Sequence, residues 1–305
     1  MIGSRSIPTY RRAPAGFAAP HPPAEDTPGV QVWSALDGSA AVIGHELDGR
    51  CWLHFPGLAS VSFTRSGDAA ELVSLTALSP EEQDDVYYRR ALPFILQARG
   101  REVLHASAVR LPHGVLALCG PSGAGKSTLA RALGGAGYSQ WADDVVLLEV
   151  SPDAVETRRL PFDIRLLPDA VAHFAARPGR GREGAGAGSE PGPEGEQGSD
   201  PDPAPLAAVC ILETADRDRE HPALTIRRLG GSAAFEALLA NAFAFTLNDT
   251  ERRARMMHHY LALSERVPVF RVRLPAGLDH LPHSVARIVA ATTPIAARDH
   301  GSTSP

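Results

Sequence analysis

The residues with the clearest chemical purpose are Gly120, Pro121, Ser122, Gly123, Ala124, Gly125, Lys126, Ser127 and Thr128, which fit G-x-x-x-x-G-K-[ST]. They follow the apolar run Val115 to Cys119, so the stretch reads as a strand, a loop and a helix start. That pattern suits a nucleotide. Glycines let successive backbone amides turn inward on phosphate oxygens, the lysine reaches the β- and γ-phosphates, and the Ser127 hydroxyl ligates Mg²⁺. The helix start adds the positive end of its dipole. Lys126 is also the only lysine in the chain, every other long cation being arginine. A compact ammonium on a thin stem passes between phosphates where a planar guanidinium fork does not.

A second cluster, Asp143-Asp144, stands 17 residues beyond Lys126, between the stretches Ser139 to Ala142 and Val145 to Val150 that read as strands. Enzymes that move a phosphoryl group from such a loop need a carboxylate at a strand end to hold the Mg²⁺ shell. A neighbouring carboxylate can take the proton of an attacking hydroxyl. Asp143 is assigned to the metal with Ser127, and Asp144 is the first choice for the base, with Asp143 as the alternative. An isolated Asp-Asp pair is a solvated turn; its placement after the loop argues for chemistry.

These groups need a scaffold, and 305 residues suffice for a large domain or a small one beside a medium one. A net charge of -5 gives no electrostatic footprint for nucleic acid or an anionic membrane. Cys51, Cys119 and Cys210 are odd in number and lie in no metal-ligand spacing, which predicts buried free thiols and no zinc. No apolar run approaches the roughly 20 residues that span a bilayer, and prolines interrupt any signal-peptide core near the N-terminus. The expected location is cytoplasmic.

Composition divides the chain into a loosely ordered arm (1–28), a small antiparallel β meander (29–78), a main domain (79–295) and a loose tail (296–305). Asp37-Gly38, Asp48-Gly49 and Ser66-Gly67-Asp68 are the meander's hairpin turns, and His45 and His54 read as ordinary strand histidines. Ser79-Pro80-Glu81-Glu82 is a capping box, Pro93 should kink or restart its helix, and Gly100 should end it. Glu102 to Leu111 reads as one strand carrying His105. From 177 to 205 the chain turns to Gly, Pro, Glu and Ser, a disordered insertion. Strands are expected near 207–212 and 224–229, a helix capped by Ser232, and another capped at Asn248-Asp249-Thr250. The latter carries Arg252, Arg253, Arg255, His258 and His259, read as a solvated face that could alternatively lend an arginine to a transferring phosphoryl group. Pro268 predicts an edge strand at 267–274, and a last helix spans about 281–291.

The order of three segments is what points to a family. Leu104-His-Ala-Ser-Ala-Val109, the 120–128 loop and Ala142-Asp-Asp-Val145 together resemble the catalytic domain of HPr kinase/phosphorylase. The resemblance covers about 100–275, most firmly 102–150. It implies an α/β fold with a mixed sheet, of the P-loop kinase type shared with phosphoenolpyruvate carboxykinase, and ATP- and Mg²⁺-dependent phosphorylation of a protein serine. It further implies that residues 120–128 bind the triphosphate, that Asp143 and Asp144 serve metal and base, that His105 lies near the reacting phosphate, and that the protein is a homo-oligomer. The sequence departs from the family after the acid pair, where Asp163-Ile164-Arg165 lacks the expected glycines and Asp163 reads as a plain loop acid. The meander also differs from the regulatory domain of the true enzyme. The chain therefore resembles the looser group of HPr-kinase-like serine kinases, some of which modify small ribosomally made peptides, so a small protein or peptide bearing a serine is the expected partner. A nucleotide-dependent switch that binds ATP without transferring phosphate is the competing class.

Overall fold

The structure is a computed structural model, and it describes residues 7–14, 16–34, 39–67, 69–160, 202–213, 223–247 and 249–293. Asp163, the tail 296–305 and all but the last four positions of the 177–205 stretch lie outside the described residues.

Alternating apolar residues build a first sheet from β1 (Thr9–Arg12), β2 (Gln31–Ser34), β3 (Ala40–Leu47), β4 (Arg50–Phe55), β5 (Ala59–Phe63) and β6 (Ala69–Ser74). Its order is β1-β6-β5-β4-β3-β2, antiparallel throughout except for β1 alongside β6. Residues 9–12, expected in a loose arm, thus extend the sheet. Tyr10 holds them there: its ring lies 4.6 Å from that of Tyr87, and its hydroxyl donates to Asp84 at 2.6 Å. The face bearing Cys51, Leu53, Val61, Phe63 and Leu72 packs on the helical segment that follows.

That segment runs through α1 (Pro80–Asp84), a π-helical turn (Asp85–Ala91) and α2 (Leu92–Ala98). The capping box forms as its sequence demands, the Ser79 hydroxyl accepting from the Glu82 amide and the Glu82 carboxylate from the Ser79 amide. Pro93, which has no N–H to give, stands in the first turn where the α-helix resumes.

The second sheet has nine strands: β7 (Glu102–Leu104), β8 (Ala106–Leu111), β9 (Gly114–Cys119), β10 (Ser139–Ala142), β11 (Val146–Val150), β12 (Val155–Arg158), β13 (Ala204–Glu213), β14 (Thr225–Leu229) and β15 (Val269–Arg273). The order is β10-β8-β9-β13-β12-β11-β7, with β15 also on β13 and β14 on β15; β13 is parallel to β9 and β15, making the sheet mixed. Helices cover both faces. On one side α3 (Lys126–Gly135) and α6 (Leu281–Thr292) bury Leu129, Leu133 and Ile288 against Leu116 and Leu118; on the other α4 (Gly231–Leu239) and α5 (Thr250–Arg266) bury Leu238, Tyr260 and Leu263 against Ala117 and Val209. Among the described residues no helix is long and apolar enough to cross a membrane. Cys51, Cys119 and Cys210 are free and buried.

Four expectations change. The stretch 102–111 is two strands, because the chain leaves its pairing with β11 at Leu104 and takes up β9 and β10 from Ala106. Ser232 is not a cap: α4 begins one residue earlier, after Gly230, without a side-chain bond. Asp249 does cap α5, accepting from the Arg252 amide. Strand β15 is interior, between β13 and β14, since Pro268 stops short of it and contributes only its carbonyl, to the Val209 amide. Arg252 is not on a solvated face. It is 1% exposed and its Nη1 donates to Glu102 at 2.9 Å, with Gln97 and His259 completing the cluster. Burial pushes Glu102 up, but hydrogen bonds from His259 and Arg252 bring it below the usual carboxylate range.

The two sheets share one apolar cluster, in which Leu53 and Phe63 of the first meet Phe94, Ile95, Val103, Leu147 and Phe245. Gln31 stitches the seam, its amide donating to Ala244 O at 2.7 Å and accepting from the Thr246 amide at 3.1 Å.

Candidate functional site

Strand β9 ends under a turn that only glycine can make. Gly120 has φ 140°, and a Cβ there would stand 2.5 Å from the Leu212 carbonyl at the end of β13. Its amide donates to Asn241 Oδ1 at 2.9 Å. Gly125, at φ 92°, precedes α3 and no side chain caps that helix. The Leu129 amide makes its bond back to Gly125 O at 2.8 Å, so the amides of Lys126, Ser127 and Thr128 are those that a helix start leaves without an intrahelical acceptor. Such amides suit an anion. Lys126 is buried and its Nζ donates to Gly120 O at 2.9 Å and Pro121 O at 3.3 Å, across the loop's own mouth. Burial lowers its pKa, against the opposing pull of Asp144 and Asp143.

The acid pair is placed by strand register. Ala142 pairs with Ala108 and Val146 with Leu104, so the residues between face one another across a gap in both ladders. Ser107 Oγ donates to Asp143 Oδ1 at 2.9 Å there, and the Ala106 amide to Asp144 O at 3.2 Å. A register shift between Gln140 and Ala142 leaves Trp141 as an extra residue, a bulge of the kind that re-aims a side chain beside a site. Ser127 Oγ of the loop also donates to Asp143 Oδ1, at 3.3 Å. Asp144 adopts φ 64°, a left-handed conformation that costs a non-glycine residue and that aspartate tolerates better than most.

The two carboxylates are therefore different groups. Asp143 is buried, and burial followed by the neighbouring Asp144 raises its pKa, although Ser107, Arg89 and Ser127 oppose the rise. The Asp144 side chain is 44% exposed and opens on a cleft. Arg89, from the π-helical turn, donates Nη1 to Asp144 Oδ2 at 3.2 Å, while its Nε is 3.3 Å from Asp85 Oδ1. His105 sits at the break between β7 and β8, its amide donating to Asn241 O at 2.8 Å. Burial, and then Lys126, lowers the pKa of its ring, against the opposing pull of Asp144.

His105, Asp144, Arg89, Gly120 and Pro121 line the same cleft of about 1650 Å³, whose far wall includes Trp33 and Phe55 of the first sheet and Phe94 and Phe243. A smaller cavity of about 260 Å³ lies behind the loop, between Gly123 to Gly125 and Pro275 to Leu281. The sequence-predicted residues thus come together: the loop, Ser127 against Asp143, and Asp144 with His105 at the loop's mouth. Arg252, buried in its own ion pair, does not join them, and Arg253 and Arg255 are exposed on α5. Ser107, Asn241 and Arg89 join them without having been singled out. Ser107 was within reach, because pairing 102–111 against 139–150 sets it opposite Asp143; Asn241 and Arg89 come from distant elements and left no local signal.

Ser127 and Asp143 present hard oxygen ligands side by side, a donor set that fits Mg²⁺. Among the described residues no three His, Cys, Asp or Glu gather into a metal cage. Mg²⁺ needs none, as it keeps several waters and takes one or two protein ligands with substrate phosphates.

No protein-family model and no curated protein matches the chain. Among solved structures the chain is similar to the Hpr(Ser) kinase/phosphatase from Coxiella burnetii, with a TM-score of 0.32 and 12% identity over 62% of this chain and 94% of that one. A likeness of that size establishes neither a family nor an activity, and the functional reading rests on the site.

Proposed function

We propose that this protein is an ATP- and Mg²⁺-dependent kinase that phosphorylates a serine hydroxyl on a small protein or peptide. The observation that carries the reading is the division of the acid pair: Asp143 bonded to the loop's Ser127, Asp144 open to a large cleft at the loop's mouth. The 120–128 amides and Lys126 would hold the triphosphate, and Ser127 with Asp143 would hold Mg²⁺, which supplies charge neutralisation at the β- and γ-phosphates. Asp144 would accept the proton of a hydroxyl entering from the cleft. The His105 ring, which lines the same cleft, could donate or accept a hydrogen bond beside the reacting centre. The aromatic wall would exclude water and receive the acceptor's flanking residues. In-line transfer needs mainly this positioning and charge neutralisation.

The test is incubation with γ-labelled ATP, Mg²⁺ and peptides that each carry one serine. Acid-stable label on serine is the expected result. ADP formed without any serine ester would favour the nucleotide-switch class instead.

A further inference from the structure

Phosphoryl transfer from a phosphate loop gains much from a guanidinium on the transferring group. The arginines of α5 do not supply it: Arg252 is committed to Glu102, and Arg255 pairs with Glu251 on the exposed helix face. Arg271 and Arg273, which also line the cleft, share Glu213 at 3.3 and 2.9 Å. Arg90 is more than half exposed and 3.9 Å from Asp85. Arg89 is paired too, with Asp85 and Asp144, but of these arginines it is the one that stands at the acid pair itself.

We infer that Arg89 is a catalytic residue, the cation that takes up the charge developing on the transferring phosphoryl group. This rests on the kinase reading above. Its side chain is 13% exposed, lines the cleft with Gly120, Pro121 and His105, and touches Asp144. Asp85, four residues earlier, holds the Nε edge, and Nη1 at the other end of the fork donates to Asp144. Both residues belong to the π-helical turn, a distortion found disproportionately at functional sites.

The chemistry links Arg89 to the base. The serine Oγ forms a bond to the γ-phosphorus as the bond from phosphorus to the bridging oxygen of ADP breaks, its electron pair leaving with ADP. The serine proton passes to the Asp144 carboxylate. Arg89, which touches Asp144 and lines the cleft, is placed beside that step to offer its guanidinium to the equatorial phosphoryl oxygens. The same residue therefore holds the Asp144 side chain in position and serves the phosphoryl group. Because Arg89 stands on the segment that packs against the first sheet, that sheet would contribute to catalysis through it.

The test needs no acceptor. ADP·Mg²⁺ affinity is measured by calorimetry with and without aluminium fluoride, which mimics the transferring phosphoryl group, in the wild type, Arg89→Ala and Arg89→Lys. In the wild type, fluoride should tighten ADP by about tenfold or more, as expected of a transition-state mimic. Arg89→Ala should bind ADP alone within a few-fold of the wild type and lose the tightening, and added guanidinium should restore part of it. Arg89→Lys, which keeps charge and stem and so guards against a folding defect, should also lose most of it, because an ammonium cannot bridge Asp85 and the phosphoryl oxygens. Turnover should fall roughly 10³-fold in Arg89→Ala with little change in KM for ATP. Undiminished tightening in both variants would overturn the role of Arg89 while leaving the kinase reading intact. Absence of tightening in the wild type would overturn the kinase reading, and this inference with it.

Discussion

The two sheets hold their histidines differently: His45 and His54 of the first are buried, whereas His105 of the second is half-buried and lines the cleft. In the first sheet His45 and His54 sit in mid-strand, their rings 5.0 Å apart, with His54 Nδ1 hydrogen-bonded to Ser60 at 2.9 Å and Phe17 stacked over the neighbouring Trp52. In the second, His105 sits where β7 gives way to β8, beside the gap where β10 gives way to β11. Burial lowers the pKa of all three rings, His54 to about 4. The contrast is in the backbone. Mid-strand amides and carbonyls are used up by the ladder, whereas a gap between ladders brings side chains and unpaired backbone from several strands to one point. The candidate site lies where strands change partners, and residue type alone does not distinguish the two places.

Each sheet can be perturbed separately. The largest effect should come from Lys126→Ala, which is expected to abolish measurable ATP binding; retained micromolar affinity would remove the loop from the site. Arg252→Ala should cost about 3–5 kcal/mol in denaturant unfolding by leaving Glu102 buried without its guanidinium partner. A loss of activity with unchanged stability would instead return Arg252 to the phosphate.

Smaller effects follow from titration. Asp143 is raised by burial and by Asp144 relative to its ordinary value of 3.8, so the contribution of its protonated form is fully present below that pH and lost as pH rises through the folded value. Asp143→Asn should therefore raise the Tm at pH 7 in metal-free buffer, with the gain shrinking as the pH falls towards about 4. It should also remove the extra stabilisation that Mg²⁺ gives in the presence of ADP. For His54 the sign is opposite in kind. Its folded pKa is lowered from 6.5 to about 4, so its contribution to stability is present above about pH 6.5 and lost as the pH falls towards 4. His54→Gln should flatten the pH dependence of hydrogen exchange in β3 to β5 and leave turnover unchanged; altered turnover would bring the first sheet's histidines into the chemistry.

Much of the second sheet could be read from local pattern. The loop, the Asp249 cap and the buried strands β9 and β13 depend on residues close in sequence, and their elements appear where spacing put them. What could not be read depended on distant partners. Residues 9–12 look like an unstructured arm until Tyr87 and Asp84 offer Tyr10 a place. Arg252 looks solvated on a helix rich in charge until Glu102 arrives from 150 residues away to bury it. The break at His105 is invisible along 102–111, since either ladder alone would accept the same alternation. Asn241, which ties both Gly120 and His105, carries no motif at all.

In the proposed reaction Asp144, and not merely the loop, is what would make this site a kinase's. ATP affinity and phosphoserine formation measured side by side for the wild type and Asp144→Asn test it most directly. Affinity should stay within a few-fold while transfer falls by about 10²–10⁴-fold, the range of a lost general base. Transfer that persists at the wild-type rate in Asp144→Asn would contradict it.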